Sequence, residues 1–69
     1  MISYAPLKRT MEQCKATTYT LQKHGVSSSS IRRIKDGDSI STNTIDILCE
    51  ILNCSVNDII EFIPNKKED

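Results

Sequence analysis

Apolar residues recur at helical spacing along most of this chain, and each such segment is introduced by a hydroxyl side chain. A Ser or Thr in that place accepts a hydrogen bond from one of the free backbone amides of a helix's first turn. An apolar residue just before the cap packs on one a turn further along. The arrangement occurs at five places: Ile2-Ser3 ahead of Leu7, Ala16-Thr17 ahead of Leu21, Val26-Ser27 ahead of Ile31, Ile40-Ser41 ahead of Ile45, and Cys54-Ser55 ahead of Ile59.

The segments between these starts read as five helices. In the first, Leu7, Met11 and Cys14 share a face and Pro6 falls in the opening turn, where its missing amide costs little. The second, over residues 18–24, is short and stops at Gly25. The third, over 28–35, turns Ile31 and Ile34 inward and stops near Gly37. The fourth, over 42–53, presents Ile45, Leu48, Cys49 and Leu52 with Ile47 and Ile51 beside them, the breadth expected of the most buried helix. The fifth, from 56 to about 63, carries Ile59, Ile60 and Ile63 and ends at Pro64. The pattern predicts an all-α, compact five-helix bundle over residues 1–64, followed by a charged tail at 65–69 that is expected to fray.

Length and composition narrow this without changing it. Sixty-nine residues allow one domain, and 38% apolar content with two glycines and two prolines suits helices better than a barrel or a disordered chain. A net charge of zero argues against nucleic acid until its distribution is considered. Residues 1–35 hold seven basic side chains against Glu12 alone, whereas 36–69 hold two against eight carboxylates. That polarity points to a basic binding face on the first half. No apolar run approaches the roughly 20 residues of a membrane span. The N-terminus lacks the basic-then-apolar order of a secretory signal. Three cysteines, none in a C-x-x-C pair, fit a reducing cytosol better than a disulfide scaffold.

Function concentrates in residues 17–37, a short helix, a glycine-containing turn and a second short helix. Such a turn sets two helices at a steep angle, so that the second enters the major groove of DNA while the first crosses the backbone. The second helix exposes Ser28 and Ser29 in its first turn and Arg32 and Arg33 one turn later. Serine donates to or accepts from any base, and arginine matches the two acceptors of guanine. Arg33 is therefore the expected specificity residue, Ser28 and Ser29 adaptable base contacts, and Arg32 a base or phosphate contact. Candidate phosphate contacts are Thr17, Thr18, Ser27 and Ser41 at helix starts, Lys35 and Ser39 near the turn after the second helix, and Lys23.

The run Thr17-Thr18-Tyr19-Thr20-Leu21 followed by Gly25-Val26-Ser27-Ser28-Ser29-Ser30-Ile31-Arg32-Arg33-Ile34-Lys35-Asp36-Gly37 resembles the helix-turn-helix of the Cro and phage-repressor family. The stretch from Ile40 to Ile59 is similar to that family's fourth and fifth helices. The resemblance implies a lambda-repressor-like five-helix fold, sequence-specific operator binding, regulation of transcription (repression foremost) and frequent dimerisation. It places base reading on Ser28, Ser29 and Arg33. Here the motif's first helix is one residue shorter than the family pattern, Gln22 stands where a small alanine is usual, and Ile40 replaces a proline.

Other classes fit less well. Cys14, Cys49, Cys54 and His24 lack the paired spacing of structural zinc ligands, and two of the cysteines continue apolar helical faces. A single histidine, with no phosphate loop or nucleophile motif, gives no basis for an enzyme and implies no cofactor. A protein-interaction module, such as an antitoxin or a partner-binding accessory regulator, is the alternative, with the acidic second half as its surface. Ile60, Phe62 and Ile63 of the expected fifth helix serve either as a homodimer seam or as closure of the monomer core.

Overall fold

Thr17, Ser27 and Ser41 stand in extended backbone immediately before a helix. Their hydroxyls accept the amide hydrogens of Thr20, Ser30 and Thr44 at 3.3, 3.2 and 3.1 Å. Each bond satisfies a donor that a helix start otherwise leaves free. The computed structural model describes residues 1–64, so the charged tail expected at 65–69 lies outside the described residues. The element order is β1 (Ile2–Ser3), α1 (Ala5–Cys14), α2 (Thr18–Lys23), α3 (Ser28–Asp36), α4 (Thr42–Leu52), a 3-10 turn over Val56–Asp58, and β2 (Glu61–Phe62).

Helix stops are set by left-handed residues. Gly25 after α2 has φ 112° and Gly37 after α3 has φ 78°, values a Cβ would strain. Lys15 after α1 and Asn53 after α4 adopt φ 57° and 52°. At Gly37 the chain closes α3 with Asp38 N–H donating to the Arg33 carbonyl at 2.8 Å.

The expected mostly helical domain forms, but the expected fifth helix is replaced by a short 3-10 turn and a strand. Among the described residues four α-helices form, and the two strands pair antiparallel with Ile2 opposite Phe62 and Ser3 opposite Glu61. Met1 and Ile63 extend the ladder, each donating an amide or amino hydrogen to the other's carbonyl at 2.8 Å. Ser55 does start a turn, its amide donating to the Asp58 carboxylate at 3.1 Å, but the turn lasts three residues. Beyond it, Ile59, Ile60, Phe62 and Ile63 favour extended backbone, and Pro64 pushes the residue before it out of the helical region. At the other end Ser3 lies in β1 rather than at a helix start. Its hydroxyl still accepts the Ala5 amide at 3.1 Å, but α1 follows Tyr4 and Ile2 is exposed rather than stapled to Leu7.

The core draws at least one side chain from every helix: Leu7 from α1, Leu21 from α2, Ile31 from α3, and Leu48 and Leu52 from α4, joined by Tyr4, Val26 and Ile59. Leu48 and Ile59 have no exposed surface. Burying a side chain of this kind contributes about 1.5–3 kcal/mol. Leu21, Val26 and Ile31 straddle the turn at Gly25, and their packing, with the Val26 amide donating to the Leu21 carbonyl at 3.0 Å, fixes α2 against α3. Cys14, expected on the apolar face of α1, is exposed instead.

Candidate nucleic-acid interface

Helix α3 divides its residues cleanly. Ile31 is buried and Ile34 packs against the core, while Ser28, Ser29, Arg32, Arg33, Lys35 and Asp36 are all exposed. Because side chains three and four apart share a helix face, these six form two adjoining stripes. Ser28, Arg32 and Lys35 border a solvent-open groove between α3 and α2, whose opposite wall carries Thr18 and Gln22. Ser29, Arg32, Arg33 and Asp36 border a second groove that runs toward Asp38 and Ser39 in the loop after α3.

The two grooves gather all four expected base-reading residues and three of the expected phosphate-contacting ones, Thr18, Lys35 and Ser39. Thr17, Lys23, Ser27 and Ser41 line neither. The Ser27 hydroxyl is engaged in its own cap, with the Ser30 amide at 3.2 Å, the Ser30 hydroxyl at 3.0 Å and the Ser29 hydroxyl at 3.2 Å. Thr17 shares a reciprocal cap with Thr20, and Ser41 binds the Thr44 amide and hydroxyl, both at 3.1 Å. Lys23 closes the last turn of α2.

Charge follows the same axis. Arg33 and Lys35 occupy the last turn of α3, where the carbonyl end of a helix carries partial negative charge and cations are favoured. Asp36 and Asp38 place carboxylates at the same end, beside Arg32 and Arg33 in the second groove. These two acids and Gln22 belong to the surface but were not among the residues expected there. The same is true of Tyr19, which stands 70% exposed in the first turn of α2. A signal for Tyr19 existed: a large aromatic two positions before the inward-facing Leu21 cannot share its face.

Among the described residues, no group of three or more His, Cys, Asp or Glu side chains is arranged to hold a metal ion. No helix of the described residues is long and apolar enough to cross a membrane.

Comparison with known proteins places this geometry. The family model of the Cro/C1-type helix-turn-helix DNA-binding domain matches residues 6–65. The crystal structure of the transcriptional regulator VanUg is similar at 28% sequence identity, over 93% of this chain and 87% of that one, with a TM-score of 0.83. No curated protein matches the chain.

Proposed function

This chain belongs to the Cro/C1-type helix-turn-helix DNA-binding family, and from that premise we propose that it is a sequence-specific transcriptional repressor that lays α3 in the major groove of double-stranded DNA. The observation that carries this reading is the outward stripe of Ser28, Ser29, Arg32 and Arg33 on a helix whose inward face is pinned by Ile31 and Ile34. A groove reader needs that combination, because base edges are discriminated only by side chains held in fixed register.

In this reading Arg33 reads a guanine through its paired donors, and Ser28 and Ser29 make adaptable contacts to neighbouring bases. Arg32, at the meeting of the two grooves, takes a base or a phosphate according to sequence. Lys35 and Ser39 grip the backbone on one side, and Thr18 on the other. Thr17, Ser27 and Ser41 reach phosphate through the backbone amides of their helix starts rather than through hydroxyls already spent on caps. Lys23 contributes through its charge.

Of the residues expected to serve either as a homodimer seam or as core closure, Ile60 packs against the core and Phe62 and Ile63 are exposed beside the small sheet. Met1, Ile2, Phe62 and Ile63 are 66, 47, 67 and 44% exposed around the β1–β2 pair, which gathers apolar surface at the two chain ends. We propose that two copies meet there, so that each presents α3 to one half of a symmetric site.

Selection from random duplex DNA, followed by titration of the winning sequence at two salt concentrations, tests the proposal. An enriched site whose affinity falls steeply with salt supports it. Folded protein with no enrichment overturns it and favours the partner-binding alternative.

A further inference from the structure

Helix α4 ends in a Schellman motif, and the two positions that this motif presses together are both cysteine. Asn53 takes the left-handed conformation at φ 52° and ψ 56°, and the Cys54 amide reaches back to the Cys49 carbonyl at 3.1 Å. In such a motif the side chains of the two bonded positions frequently meet, usually as a pair of apolar groups. The bond also keeps the two backbones close, the amide of one lying 3.1 Å from the carbonyl of the other, and a disulfide needs Cα atoms about 4.4–6.8 Å apart. Both side chains are partly buried, and both line a solvent-open groove walled by Ile45, Val56 and Ile60, so a small reagent can reach them.

We propose that Cys49 and Cys54 form an oxidisable dithiol, a modification site that a hydroperoxide closes into a disulfide clamping the end of α4 to the turn beyond it. The Cys49 sulfur attacks the peroxide, the O–O bond breaks, and the departing oxygen takes the Cys49 proton to leave as alcohol, or as water from hydrogen peroxide. Cys49 is then a sulfenic acid. The Cys54 sulfur attacks it, the S–O bond breaks, and the hydroxyl leaves as water with the Cys54 proton. Two thiols lose two electrons and one hydroperoxide gains them.

The order of attack follows from surroundings. Burial, first, and then Cys49, Asp58 and Cys14 push the Cys54 thiol up to about 11, so it stays protonated at neutral pH and acts second. Cys14 is exposed and its thiol donates to the Leu52 carbonyl at 3.8 Å, which keeps it near but outside the motif. Closure ties Cys49 on α4 to the segment carrying Ile59, the fully buried C-terminal contribution to the core. The oxidised chain is therefore more resistant to unfolding.

The test uses the full folded chain, reduced and then exposed to hydrogen peroxide, with remaining thiols alkylated after denaturation. Mass spectrometry is expected to find one alkyl group, on Cys14, in place of the three taken by the reduced protein. The oxidised chain is expected to show a higher Tm, and oxidised Cys54→Ser no such rise. Should Cys54→Ser fail to fold, mapping on the natural chain still decides. Three alkyl groups after peroxide, a bridge that includes Cys14, or a bridge between chains overturns the proposal.

Discussion

The phenolic hydroxyl of Tyr4 donates a hydrogen bond to the backbone carbonyl of Asp38, joining the start of α1 to the loop after α3 across 34 positions of sequence. The bond ties the exit of α3 to the body of the domain. Burial first, and then the Asp38 charge, raise the Tyr4 pKa from its ordinary 10.0, against the lowering effect of a hydrogen bond from the Ile40 backbone. A group whose folded pKa is raised stabilises the fold through its protonated form. Its contribution is fully present below pH 10.0 and is lost as pH rises through the higher folded value. Tyr4→Phe is expected to cost about 1 kcal/mol at neutral pH, the usual worth of one hydrogen bond. It should also remove the alkaline loss attributable to this residue. Thermal unfolding of both proteins from neutral pH upward checks this: curves that stay parallel above pH 10.0 refute the assignment.

Arg33 and Lys35 sit two residues apart on α3 and are expected to fail differently. Arg33→Ala should cost about 1–3 kcal/mol on the preferred site and relax preference at one base pair, because a paired guanine contact is lost. Lys35→Ala should weaken all duplexes alike and reduce the slope of log affinity against log salt by about one. A site library titrated at two salt concentrations distinguishes them. Arg33→Ala with unchanged preference, or Lys35→Ala with unchanged slope, removes that residue from its role.

Ser27 and Ser28 are adjacent and both exposed, and they are expected to fail differently. Ser27→Ala removes the hydroxyl that holds the Ser30 amide at 3.2 Å and is expected to cost about 1 kcal/mol of stability. Ser28→Ala should leave Tm nearly unchanged and alter only DNA preference. Denaturant melts paired with binding well below the midpoint give the readout. Equal stability of the two variants would mean that the cap is carried by other groups.

This pair shows where sequence reading succeeds. A cap is a local device: one hydroxyl, an amide three residues on, and an apolar residue on each side decide it, so Thr17, Ser27 and Ser41 were legible without tertiary knowledge. Gly25 and Gly37 were legible for the same reason. The C-terminal segment was not. Ile59, Ile60 and Ile63 satisfy helical spacing, but the same β-branched residues suit a strand, and β2 is decided by its partner β1, about sixty positions away. The surface beside Arg33 was partly hidden too. Asp38 enters it only because Gly37 turns the loop back along α3, an effect that residue types alone do not announce.

Ile2 and Phe62 face each other across that strand pair, both about half exposed or more, at 47% and 67%. A side chain so exposed contributes little to the monomer's core, so Phe62→Glu is expected to leave Tm close to the parent's. In a twofold assembly the same change is felt twice, because each copy buries its own Phe62 against the other. Losing two apolar contacts of about 1.5–3 kcal/mol each, and placing two like charges together, is enough to separate a dimer of ordinary affinity. Sedimentation should therefore show a shift from dimer to monomer. Affinity for a site with two half-sites about 34 Å apart should fall toward that for a single half-site. Unfolding of Phe62→Glu would instead make the small sheet part of the monomer's closure. A dimer that persists with native Tm would move the seam to another face of the domain.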